Sequence, residues 1–437
     1  MVFRRFFSRS FPASVSIWLV YGLFLIAGVA SAAIVPLLPR MSAHFGLSAS
    51  QTALLLALPG LATLAVSVPS GIAADRIGAR GVTIGAGALL CLACAAQALP
   101  SLAAVLAGRI VFGVAFGVVW TSGMAWLADL NEARGGSGLG AAVTCSSMGV
   151  MLGPAVGGVL AQHIGLGAPF AVIAIAAAVI VMPLALGTTT MRWTSPAPAV
   201  AASDLPLEIA YFQPPVSDSP GAGGSASPRA LLALVRRPRV AAAAGALVVS
   251  GAVSSASQLL VSGGLHRLGL STDRIGLAFS VAAVCYIVVS SVVVRLGDRV
   301  QTLKFNALST AALAVALVPA LASTGIVALV MALILTAGPR AVIGTIAYNL
   351  ASQRDDDPGS DGVVFGMLNG AWAASTVLVP LLAGVVEQAA GIELAYLAVI
   401  MLSLGIAVWL LAGVAGQVWL LRDRAPRVGL RGWRGLG

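Results

Sequence analysis

Charge is what this 437-residue chain has least of: 9% of its residues are Asp, Glu, Lys or Arg, where a soluble domain carries roughly 25%. A water-facing surface cannot be built from so little, which excludes a soluble fold. Acids are the scarcer sign, 15 against 25 Lys and Arg, and there are three histidines and four cysteines. A catalytic or metal centre needs nucleophiles, acid/base pairs or ligands that converge. No cluster of His, Cys or carboxylate falls inside the apolar segments, so neither an enzyme nor a bound cofactor or metal is expected. His44, His163 and His266 fall near loops. Cys91 and Cys94 are spaced as CxxC but sit in an apolar run, where they read as small packing residues, and no disulfide is assigned.

What the chain does have is apolar bulk and glycine, 59% hydrophobic residues and 50 Gly. One membrane-crossing helix takes about 20 apolar residues, so this length accommodates about twelve. Hydropathy runs broken by Gly, Pro and charge place spans near 15–38, 51–73, 81–99, 101–126, 138–162 and 168–187. Six more fall near 240–262, 275–294, 304–323, 325–349, 362–386 and 394–416. The expected fold class is an all-α membrane protein of twelve transmembrane helices in two six-helix pseudo-repeats, 1–187 and 239–416. Residues 188–238 between them hold Pro196, Pro198, Pro206, Pro214, Pro215, Pro220, Pro228 and Pro238; this composition cannot carry a helix across lipid and reads as a linker. Residues 417–437 form a basic tail. The first apolar run is longer than the core of a cleaved signal and is expected to stay as a helix.

The duplication has a textual trace. Gly46-Leu47-Ser48 precedes Asp75-Arg76 as Gly269-Leu270-Ser271 precedes Asp298-Arg299, every position shifted by 223. The net charge of +10 would suit nucleic acid only if gathered on one soluble face, and it is not. Of the 25 basic residues, Arg40, Arg267 and Arg274 fall in loops on one side, Arg109 and Arg340 inside spans, and the other 20 in loops and tails on the opposite side. That asymmetry is the positive-inside pattern; it predicts a multi-pass protein of the cell (inner) membrane, both termini cytoplasmic, with the tail against anionic lipid headgroups at the inner face. No nucleic-acid partner is expected.

Three motifs carry function. After the second span comes Gly71-Ile72-Ala73-Ala74-Asp75-Arg76-Ile77-Gly78-Ala79-Arg80, read as a loop in which Gly71 lets a helix approach, Asp75 caps or pairs, and Arg76 and Arg80 supply inside charge. The fourth span places Arg109, Gly113 and Gly117 on one face; an arginine at such depth costs roughly 2.5–3.5 kcal/mol on insertion scales and should face protein or water. The fifth span reads Gly149-Val150-Met151-Leu152-Gly153-Pro154-Ala155-Val156-Gly157-Gly158. Its Gly149, Gly153 and Gly157 make a smooth stripe that a helix of the other half can cross, with a bend at Pro154.

These strings resemble the GxxxDRxGRR, fourth-span RxxxG and GxxxGPxxGG motifs of the major facilitator superfamily, the last being the signature of its twelve-span drug:proton antiporters. Ala79 departs from the pattern, standing where the first closing basic residue is usual. The resemblance implies a secondary active transporter that exports small molecules, as in drug or metabolite efflux and multidrug resistance. It would work by alternating access, linked to protons and acting as a monomer. An importer or facilitator of a small, anionic metabolite is the alternative. The resemblance also implies that Asp129 joins Asp75 and Arg80 in an inside-facing cluster. Cavity candidates are Trp18 and Tyr21 on the first span, Ser254 and Gln258 on the seventh, Tyr348 on the tenth, and Asn369 and Trp372 on the eleventh. Arg109 and Arg340, the embedded charges, are candidates for coupling or substrate binding, and with no Asp or Glu in the middle of any span they favour an anionic or neutral substrate.

Overall fold

The computed structural model describes residues 13–132, 138–187, 237–296, 302–321, 325–352 and 361–424. Among them, twelve helices are long and apolar enough to cross a membrane. Helix α1 comprises Ala13–Ala33, a 3-10 turn at Val35–Leu37 and the short helix Leu38–Phe45. Then come α2 (Ala49–Ile77), α3 (Ala79–Gln97), α4 (Leu102–Glu132), α5 (Gly138–His163) and α6 (Ala168–Leu186). The second half opens with α7, Pro238–Ala256 running through a π-turn at Ser257–Val261 into Ser262–Arg267. It continues with α8 (Thr272–Leu296), α9 (Leu303–Leu321), α10 (Ile326–Ser352), α11 (Asp361–Ala390) and α12 (Ile392–Arg424). Most of the proline-rich linker, 188–236, and the Asp298-Arg299 copy lie outside the described residues.

Local chemistry sets the reversals. Gly46 ends α1 in the left-handed region, and Ser48 and Gln51 then form a reciprocal capping box that starts α2. The shifted copy repeats the first device: Gly269 also has positive φ, immediately before α8. Prolines stand inside α2, α5, α6, α9, α10 and α11, positions tolerated in membrane helices when neighbours re-satisfy the freed backbone groups.

Helix pairing repeats with the sequence. In the first half α1 packs on α5, α2 on α4 and α3 on α4 and α6; in the second, α7 packs on α11, α8 on α10 and α9 on α10 and α12. The halves meet chiefly along α5 against α8 and α2 against α11, two crossings exchanged by the same pseudo-symmetry. Each half has its own core, one including Phe24, Trp120, Phe116 and Leu127, the other Tyr396, Leu260, Leu333 and Phe279. Large apolar side chains such as Ile175, Val179, Val315 and Val327 point outward, a surface that water would not tolerate and a bilayer requires.

Candidate functional site

Twelve successive spans bring the start of α1 at Ala13 and the end of α12 at Arg424 to one end of the bundle, termed proximal; the other is termed distal. The halves touch there. Ser50 of α2 donates to Gln388 of α11 at 2.8 Å, and the Thr272 amide of α8 donates to Gln162 of α5 at 3.3 Å. A Cβ on Gly384 would lie 2.8 Å from the Ala49 carbonyl oxygen, and one on Gly158 would lie 2.6 Å from the Thr272 carbonyl oxygen. Nearer the termini, a Cβ on Gly71 of α2 or Gly370 of α11 would meet nothing within 4 Å. The contacts between α2 and α11 run from the distal end to mid-depth, where Gly60 meets Val377, and the faces of Gly71 and Gly370 beyond them are open among the described residues.

The fifth-span motif divides between two neighbours. Gly149, Gly153 and Gly157 face α1 of their own half, where an added Cβ would strike the backbone of Leu25, Val29 and Ala33. The expectation that this stripe receives a helix of the other half is therefore corrected. The adjacent face does that: Gly158 meets Thr272 and Asp273, and Pro154 meets Gly276, all on α8. Smooth glycine on two faces lets one helix make close crossings with two partners.

The proximal motif is helical where a loop was expected. α2 runs through Asp75 and Arg76 to Ile77, and Gly78 alone, at φ 94°, separates it from α3. A Cβ added on Gly71 would meet open space, so the close helix approach expected at that glycine is not made by the described residues. Arg76 is exposed. The Arg80 guanidinium donates to the carbonyls of Leu184, at 3.2 Å, and Gly187; it caps the C-terminus of α6, where orphan carbonyls and the dipole favour a cation. The Asp75 and Asp129 side chains, the other members of the expected cluster, lie outside the described residues.

The two embedded arginines have different surroundings. Arg109 is 3% exposed, seven residues from the distal start of α4, with Nε donating to the Leu55 carbonyl of α2 at 2.9 Å and the guanidinium over Phe112. Its Nη1 has no hydrogen-bond partner among the described residues. One turn on, Gly113 and Gly117 let α2 press close, and Thr63 of α2 donates to the Gly113 carbonyl at 2.8 Å. The RxxxG face is a helix crossing.

Arg340 is half-buried, fourteen residues from the distal start of α10 at Ile326. Tyr286 is fourteen residues from Thr272 and Ser254 thirteen from Arg267, so all three share one depth, about 20 Å in at 1.5 Å per residue. Arg340 Nη2 donates to Ser254 Oγ at 2.7 Å and the guanidinium lies 5.9 Å from the Tyr286 ring centroid. Gln258 is half-buried four residues on, within the π-turn of α7, an irregularity frequent at functional sites. Trp372 packs on Gly251 of α7. Of the other cavity candidates, Tyr21 is buried in the first-half core edge-on to Trp18, which is 72% exposed; the side chains of Tyr348 and Asn369 lie outside the described residues.

Sequence reasoning missed Tyr286 and the α8 face that receives α5. That face was readable: Thr272, Gly276 and Ser280 recur every four residues, a small-residue stripe of the kind recognised on α5.

Residues 20–360 match the model of the Major Facilitator Superfamily. The chain belongs to that superfamily. This major facilitator is 34% identical over 120 residues to the MFS-type transporter ppzB of Metarhizium majus (strain ARSEF 297), 27% of this chain and 26% of that one. It is 35% identical over 97 residues to an uncharacterized MFS-type transporter of Yersinia pestis, 22% of this chain and 25% of that one. The matched stretch thus spans about a quarter of these relatives. Solved structures share the fold along nearly the whole chain. A bacterial homolog of the human lysosomal transporter Spinster, inward-facing and unoccupied, aligns at TM-score 0.72 and 13% identity, covering 91% of this chain and 96% of that one. The nucleoside transporter NupG aligns at 0.68 and 14%, covering 91% and 99%. The human organic anion transporter MFSD10 aligns at 0.59 and 20%, covering 92% and 100%.

Proposed function

We propose that this major facilitator is a proton-linked exporter of small organic molecules, anionic or neutral, working as a monomer by alternating access. One observation carries the reading: the halves are in contact at their distal ends while Gly71 and Gly370 stand open proximally. That is one of the two arrangements that rocking of two bundles exchanges. Under the charge asymmetry of the loops the proximal side is cytoplasmic and the membrane is the cell membrane, so the present state faces inward. Export is supported by the resemblance of the Gly149 to Gly158 string to antiporter signatures.

Arg340, at mid-depth and half-buried beside Ser254 and Tyr286, is the substrate contact. No Asp or Glu lies in the middle of any span. The fixed charge at mid-depth is the cation Arg340, which disfavours a cationic guest, while its guanidinium offers a planar fork to a carboxylate. Proton linkage is assigned to the inside-facing carboxylates Asp75 and Asp129.

The test is uptake into everted vesicles energised by a pH gradient, comparing an organic anion with a permanently cationic dye, in wild type and Arg340→Ala. Gradient-driven accumulation of the anion, lost in Arg340→Ala, is expected. Accumulation of the cation that ignores the substitution would overturn the substrate assignment, and flux only in the reverse direction would favour an importer.

A further inference from the structure

Pro154 opens a gap in the hydrogen-bond ladder of α5. A helical proline removes its own N–H and pushes away the carbonyls of the preceding turn, so the pair Met151 C=O and Ala155 N–H, which would bond across one turn of a straight helix, is weakened as well. In the structure one hydroxyl from the other half serves both groups. Ser280 Oγ of α8 accepts from the Ala155 N–H at 3.1 Å and donates to the Met151 carbonyl at 2.7 Å. The contact lies beside the Pro154 and Gly276 crossing. Backbone groups freed by proline inside lipid must find partners, and here the partner sits on a body that has to move.

We propose that Ser280 is a state-dependent latch: its hydroxyl completes the α5 ladder only while the distal ends are together, and so biases the transporter towards the distally closed state. The inference rests on the alternating-access reading above. When α8 swings away, Met151 and Ala155 must either re-form their mutual bond, straightening α5, or take water. The device belongs to one crossing of the two. At the related α2 and α11 crossing the fixed offset of 223 puts Ala57 where Ser280 stands and Val377 where Pro154 stands, and neither carries a hydroxyl.

The magnitude follows from what is lost. One or two ordinary hydrogen bonds contribute about 0.5–1.5 kcal/mol each, so removing the hydroxyl should raise the distally open population relative to the closed one by about twofold, if one weak bond is lost, to about 150-fold, if two strong ones are. The experiment is double electron–electron resonance on purified full-length protein in lipid nanodiscs, its four native cysteines replaced. Spin labels go on Ala43→Cys and Leu394→Cys, exposed distal positions in opposite halves. Ser280→Ala should enlarge the long-distance component by that factor and Ser280→Thr should restore it. Ser291→Ala, which removes a hydroxyl bonded within α8 to Ile287 at 2.9 Å, should leave it unchanged.

A second cycle guards against a simple packing effect: in Pro154→Ala, whose ladder closes by itself, adding Ser280→Ala should shift the distribution much less. Equal shifts with and without Pro154, or an unshifted Ser280→Ala, overturn the latch while leaving alternating access standing. A wild type with one distal distance at every pH, with and without substrate, removes alternating access and the latch together.

Discussion

Two glycines five residues apart on α5 offer nearly the same steric clash against different bodies. A Cβ on Gly153 would lie 2.7 Å from the Val29 carbonyl oxygen of α1; one on Gly158 would lie 2.6 Å from the Thr272 carbonyl oxygen of α8. Restoring an ordinary 3.4 Å separation needs about 0.7–0.8 Å of movement in either case. The obstacle is backbone, so neither neighbour can yield by rotating a side chain, and overpacking of this kind costs about 1–3 kcal/mol. If the halves rock as rigid bundles, as proposed, α1 and α5 stay together in both states, and Gly153→Ala raises the energy of both and lowers thermal stability without changing their ratio. Gly158→Ala penalises only the state in which α5 touches α8, so the same energy appears as an increase of about five- to 150-fold in the distally open population. The assay pairs thermal unfolding in detergent with labelling of Val35→Cys, a near-isosteric change at a position that is 3% exposed and packed with the second-half core, by an impermeant maleimide added from the distal side. Gly158→Ala should accelerate labelling with little loss of melting temperature, and Gly153→Ala the reverse. If both variants melt early and label alike, the division of this helix into a fixed face and a moving face is wrong.

Arg109→Ala should lower the yield of folded protein and weaken the α2 and α4 crossing, because Nε holds the Leu55 carbonyl; size-exclusion profile and melting temperature report it, and a variant of wild-type stability with selectively lost coupling would contradict the packing role. Arg80→Ala should cost about 0.3–1 kcal/mol, the usual range for a cation at a helix C-terminus, read as a small loss of melting temperature that Arg80→Lys partly recovers; full stability in Arg80→Ala would remove the capping role. If Asp75 and Asp129 couple protons as a unit, Asp75→Asn and Asp129→Asn should slow gradient-driven flux alike and the double variant should be less than additive; independent additive losses would show two unrelated surface charges.

The fold was largely legible because lipid simplifies the code. With no water to satisfy a backbone, every span must be an apolar helix, and charge marks its ends. Boundaries went astray where helices outlast the hydrocarbon. α2 and α4 extend to Ile77 and Glu132, so Asp75, Arg76 and Asp129 are helical although polarity suggested loops. Hydropathy locates the membrane, whereas helix ends are set by capping, and Gly78 at positive φ was the signal that mattered. The repeat was visible for a physical reason of the same kind: Gly46 and Gly269 both occupy conformations that other residues avoid.

The site was less legible because residue type gives the cost of a buried group and not its address. Arg109 and Arg340 read alike in sequence, each a cation inside an apolar run. Their depths and neighbours separate them. Arg109 lies seven residues from its distal helix end, closed in by the crossing that Gly113 and Gly117 permit. Arg340 lies fourteen residues in, and the fixed offset places it opposite Gly117 of the first half. Where one half uses that position to bring two helices together, the other holds a half-buried guanidinium there, between a serine and a tyrosine of two neighbouring helices. A duplication supplies two equivalent scaffolds, and it is the departure from equivalence at this depth that gives the candidate site its charge.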